Sequence, residues 1–160
     1  MRFGVLPVFH RDVIVDPDWV TGFARACEDG GADSVWVVEH AVVADEYEPR
    51  YPYSESGRMA GAGAVMPDPL EWLAFVAACT ERILLATGVV VLPEHPPAVF
   101  AKRVATLDRL SRGRVLLGVG IGWQIEEYAA IGVPYERRGA RLDEHLDALA
   151  ALWGPGPATR

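Results

Sequence analysis

LDRLSRGRVLLGVGIGWQIEEY, residues 107–128, decides the fold. It reads as the end of a helix, a glycine stop at Gly113 and an apolar strand over 114–119. A turn carrying Gly118, Gly120 and Gly122 follows and opens into a second helix near Trp123. A buried strand, a glycine turn and a helix N-terminus together make the usual cofactor-holding corner of an α/β protein. Backbone comes close to a ligand there, and free N–H groups point outward.

Working outward, apolar runs of strand length recur at 3–9 (FGVLPVF), 34–38 (SVWVV) and 82–92 (RILLATGVVVL), the last broken at Thr87-Gly88. Helical spacing fills the gaps. Asp16 caps a helix with Pro17 in its first turn, and Trp19, Val20, Phe23, Ala24 and Cys27 lie on one face before Gly30-Gly31 ends it. Pro69 and Pro96-Pro97 open two more helices, the second ending at Gly113. A short helix over 123–130 follows. The last, from about Ala140, puts Leu142, Leu146, Leu149 and Trp153 on one stripe.

Strand and helix therefore alternate four times, with strands apolar on both faces. That predicts a parallel sheet covered by helices through right-handed crossovers. A doubly wound sheet and a (β/α) barrel share this signature. A whole barrel needs eight such units and about 250 residues; 160 residues supply four. The dinucleotide reading is weak, because Trp123 stands where the third glycine of G-x-G-x-x-G keeps helix close to sheet. No Gly-Lys-Ser/Thr follows either, which removes the P-loop.

Composition bounds the rest. With 51% apolar and 23% charged residues the chain describes one globular domain, 1–160. A net charge of −7 without a basic cluster argues against nucleic acid and anionic membrane surfaces. No signal peptide is read before the first strand, and the longest apolar run, 83–92, is half of a membrane span. Cys27 and Cys79 read as buried thiols of a reducing cytoplasm. Residues 41–68 form a long irregular stretch whose Tyr47, Arg50, Tyr51, Tyr53 and Arg58 suggest a lid or substrate loop; a plain surface insertion is the other reading. His10, His95 and His145 stand apart, show no metal-ligand spacing and receive no role.

SVWVVEH at 34–40, YPYSESGR at 51–58, ERILLATGVVVLPEHPP at 81–97, the 101–128 block and GVPYERRGARLDEHLDALAALW at 132–153 together resemble the luciferase-like monooxygenase superfamily. The resemblance is strongest to the branch using the deazaflavin coenzyme F-420 in place of FMN. It implies the N-terminal half of a (β/α)8 barrel and an oxidoreductase or monooxygenase acting on a small organic molecule. His40 would be the catalytic acid/base, preceded by the acidic Glu39 at the cofactor. Gly88-Val89 would back the coenzyme ring through a non-prolyl cis peptide. Gly120, Gly122, Trp123 and Glu126 would form the cofactor-edge turn, and Tyr51, Tyr53 and Arg58 the substrate loop. Ile121 and Trp123 are bulkier than the small polar residues some relatives carry, and Glu126 reads equally as a charge suited to a helix N-terminus. The resemblance also implies that the phosphate-gripping loops after strands 7 and 8 lie outside this chain. Open edges at the first and fourth strands then invite a second copy or a chain supplying the C-terminal half-barrel. The alternative is a half-barrel without catalysis of its own.

Overall fold

The computed structural model describes residues 1–10, 12–48, 51–59, 63 and 65–156. Its strands are β1 (Gly4–Val5), β2 (Ser34–Val37), β3 (Leu84–Thr87), β4 (Val90–Val91), β5 (Val115–Leu116) and β6 (Val119–Gly120). Its α-helices are α1 (Pro17–Asp29), α2 (Pro69–Cys79), α3 (Pro97–Leu110), α4 (Ile125–Ala130) and α5 (Arg138–Trp153). β1, β2, β3 and β5 form one parallel sheet in chain order, and β4 pairs with β6, also in parallel. A doubly wound sheet reverses its strand order partway. This one does not, so the architecture is four successive βα units of a half-barrel.

The strands are shorter than their apolar runs. Pro7 has no N–H to donate and ends the first strand two residues earlier. The third and fourth runs each split, into β3 and β4 and into β5 and β6. At the split the Thr87 hydroxyl donates to the Gly118 carbonyl at 2.7 Å and accepts the Gly118 N–H at 2.9 Å, replacing the missing ladder rungs. The peptide that follows, Gly88-Val89, is cis, where the resemblance placed it.

Caps set the helices. The Asp16 carboxylate accepts the Trp19 N–H at 2.8 Å, and Asp68 accepts the Leu70 N–H at 2.8 Å, each just before a first-turn proline. Gly31 and Gly113 leave α1 and α3 with φ of 81°. Two helix starts differ from expectation: α4 begins at Ile125 after Gln124, and α5 at Arg138.

The core lies between the sheet and its helices. Val35, Val37 and Leu85 pack there with Val20, Leu73, Val76, Phe100, Val104 and Leu107. On the opposite face, the inside of a barrel, Trp36 runs between Gly4 and Gly88, and a Cβ at either glycine would meet its ring. Leu116 on β5 is 41% exposed, as expected where a further strand would stand. Of the α5 stripe only Leu149 is buried; Leu146 and Trp153 are exposed. Cys27 and Cys79 are free thiols, half-buried rather than buried, because each lies at a helix margin.

Candidate active site

The carboxyl ends of the strands converge on a hollow of about 450 Å³. Its wall includes Glu39 and His40 after β2, Gly88 and Val89 after β3, Gly120, Gly122 and Trp123 after β6, and Tyr51 and Tyr53 from the long loop. The volume falls in the usual range for small-molecule sites, about 300–1,000 Å³. A slightly larger apolar groove of about 480 Å³ lies among α3, β5 and the end of α5. The strand-end hollow is the candidate site because acid/base groups and bare backbone meet there.

His40 lines this hollow with its Nδ1 2.8 Å from Glu127 Oε2. The other Glu127 oxygen accepts the N–H groups of Ala41 at 2.6 Å and Val42 at 3.2 Å. Glu39 turns the other way. It accepts the Val91 N–H at 2.7 Å and lies 3.0 Å from His95 Nε2, so it ties β2 to the next strand's continuation. Between these carboxylates sits Glu94, whose oxygens are sealed from solvent and have no partner among the described residues. Burial, then the charges of Glu127 and Glu39, push its carboxyl up to about 8. Burial and the Glu94 charge also raise the Tyr128 phenol, which donates to the Ile121 carbonyl at 2.7 Å.

Trp123 is the hub of the loop side. Tyr47 packs edge-on to it at 5.0 Å, Tyr51 at 5.3 Å and His40 at 6.3 Å. Its indole N–H is buried and has no acceptor among the described residues. The glycine turn is tight. A Cβ on Gly120 would stand 2.8 Å from a Val89 methyl, and one on Gly122 2.8 Å from a Val91 methyl.

Nine of the sequence-selected residues thus share one hollow: Glu39, His40, Tyr51, Tyr53, Gly88, Val89, Gly120, Gly122 and Trp123. Two do not. Arg58 stacks over the Tyr47 ring at 4.7 Å, and Glu126 accepts the Glu48 N–H at 3.0 Å, so each fastens the loop instead of lining the hollow. Arg50 lies outside the described residues. Sequence reasoning missed Glu127 and also His95, which it left without a role. His145 likewise has a partner, the Leu92 carbonyl at 3.2 Å.

A flat, largely apolar heterocycle fits these residues. Val89 offers a 41% exposed face, the glycines leave backbone bare, and Trp123 walls one side of the hollow.

Comparison with known proteins identifies the family. An uncharacterized protein of Mycobacterium tuberculosis is 39% identical over 154 residues, covering 96% of this chain and 53% of its own length. An F420-dependent glucose-6-phosphate dehydrogenase of Amycolatopsis mediterranei is 35% identical over 135 residues, covering 82% of this chain and 36% of its own. The oxygenating constituent of 3,6-diketocamphane monooxygenase from Pseudomonas putida, solved in complex with FMN, superposes with a TM-score of 0.77. It is 22% identical, a likeness of fold, over 98% of this chain and 40% of that one. The chain therefore spans about half the length, or less, of the relatives it matches. The family model described as luciferase-like monooxygenase matches residues 1–159. The chain belongs to the luciferase-like monooxygenase family.

Proposed function

We propose that this chain forms the N-terminal half of the coenzyme site of a flavin- or deazaflavin-dependent oxidoreductase acting on a small organic substrate. What carries the reading is the convergence of His40, Val89 and Gly120 on one hollow. The coenzyme, F-420 or in the alternative FMN, would supply the redox chemistry, as hydride transfer or monooxygenation. Gly88-Val89 and the Gly120–Gly122 turn would hold its ring, with Glu39 fixing the β2 end beside them. Trp123 would wall its edge, and Tyr51 and Tyr53 would screen the substrate from water, with Arg58 and Glu126 securing the loop from outside. His40 would exchange a proton through Nε2, the nitrogen left free by Glu127.

The remaining wall must come from further strands. β1 pairs only with β2 and β5 only with β3 among the described residues, so both sheet edges present unpaired backbone groups. A second copy or a chain carrying the C-terminal half-barrel would close them. The free thiols suit a reducing cytoplasm, and no described helix is long and apolar enough to cross a membrane.

Fluorescence titration with F-420 and with FMN, alongside light scattering, tests the reading. Saturable binding of one coenzyme by a species larger than a monomer is expected. Binding of neither would overturn it.

A further inference from the structure

We infer that Glu127 is the positioning residue of this site: it decides which imidazole nitrogen of His40 carries the proton, and it pins the loop that begins at Ala41. The inference rests on His40 being the acid/base group, and it adds a residue to that reading.

Glu127 is 1% exposed on a short helix whose first turn faces the end of β2. Its Oε1 already accepts two backbone N–H groups, from Ala41 and Val42. A carboxylate can only accept, so the proton shared between Oε2 and His40 belongs to Nδ1. A neutral His40 is then held as the Nδ1–H tautomer. Its Nε2 lone pair has no partner among the described residues, and the ring lines the hollow. When Nε2 takes a proton, the same carboxylate lies against the imidazolium and compensates the new charge. The backbone bonds add a second constraint. With His40, Ala41 and Val42 all gripped by one side chain, the imidazole and the root of the long loop cannot move independently.

The surroundings make the choice of acceptor selective. Glu39, the other nearby carboxylate, is occupied by the Val91 N–H and by His95. Glu94, in the turn after β4, feels the charges of both Glu127 and Glu39 and is shifted toward its neutral form. Tyr128, next to Glu127, donates its hydroxyl proton to the Ile121 carbonyl. Trp123 presents an apolar ring to His40 edge-on at 6.3 Å. Glu127 is thus the only acceptor on His40 Nδ1 among the described residues.

The test reads the His40 tautomer by long-range proton–nitrogen correlation NMR on the ¹⁵N-labelled chain without coenzyme. The wild type is expected to hold the neutral ring as Nδ1–H. Glu127→Ala is expected to return it to the Nε2–H form that a histidine side chain favours in water. Glu127→Gln, which keeps the shape and guards against misfolding, is expected to give a mixture, because an amide both donates and accepts. In turnover Glu127→Gln should lower kcat by about 10²-fold, at the low end of what general acid–base catalysis contributes, with little change in KM. A wild-type ring found as Nε2–H, or a tautomer ratio untouched by Glu127→Ala, would overturn the inference. Failure to bind F-420 or FMN would instead count against the coenzyme reading, and the tautomer would still decide the role of Glu127.

Discussion

Glu39 Oε2 receives the backbone N–H of Val91 at 2.7 Å, so a side chain at the end of β2 supplies a rung to β4, the continuation of the next strand. Glu39→Ala leaves that buried N–H without an acceptor and strips His95 of its partner. A loss of about 2–3 kcal/mol is expected, because a stranded buried donor costs more than an ordinary hydrogen bond contributes. Glu39→Gln keeps an acceptor oxygen and should cost about 1 kcal/mol. Urea denaturation of the two variants checks the order; equal stabilities would refute it.

The glycines of the turn separate binding from stability. Gly122 has φ of 67°, and its Cβ would meet both Val91 and Tyr128. Gly122→Ala should therefore destabilise the fold by about 1–2 kcal/mol. Gly120→Ala pushes instead on a Val89 methyl at 2.8 Å, on a residue that is partly exposed and can give way. Its effect is expected in coenzyme affinity, weakened about tenfold (~1.4 kcal/mol), with a smaller change in thermal midpoint. Parallel calorimetry and titration distinguish the two.

Glu94 gives the fold a pH dependence with a definite sign. Its carboxyl lies near 4.5 when exposed and is raised to about 8 in the folded chain. The unfolded state releases this proton first, so the group's contribution is complete below pH 4.5 and is lost as pH rises toward 8. After allowance for solvent screening of a half-buried residue, the loss amounts to about 1–2 kcal/mol. Glu94→Gln should match the wild type near pH 4.5 and exceed its stability above pH 8, measured by denaturation at several pH values. Parallel curves for the two proteins would show the assignment to be wrong.

Trp123 holds the loop through Tyr47 and Tyr51. Aromatic pairs of this kind are worth about 0.5–1.5 kcal/mol each beyond their buried area. Trp123→Ala should raise the rate of proteolytic cleavage within residues 51–59 about tenfold while α1–α3 stay resistant. Unchanged cleavage would mean that Arg58 and Glu126 suffice to fasten the loop.

Local chemistry was legible in the chain, and distant pairing was not. Asp16, Pro69, Gly31 and Gly113 announce their helix ends because capping is decided within a few residues. The four apolar runs likewise reveal the βα alternation. Their interruptions stayed hidden, since an apolar run looks the same whether its ladder is whole or spliced by the Thr87 hydroxyl. Family resemblance located His40, Gly88-Val89 and Gly120. It did not separate Glu126 from Glu127. Neighbouring positions on a helix lie about 100° apart, and only the packed structure tells which one faces β2. The partners of Glu39 and Glu127 lie 52 to 87 positions distant, where no sequence period connects them.

The twin bonds of Thr87 to Gly118 also govern shape. Below them the wall is a continuous four-stranded ladder; above them β4 and β6 go on as a separate two-stranded ladder at the cup's rim. One hydroxyl acts as the joiner's pin that lets the staves change angle with both backbone groups of Gly118 still engaged. A valine of the same outline would strip that pin away and leave the Gly118 N–H without an acceptor, while the Gly118 carbonyl would keep only the Val90 N–H at 2.9 Å.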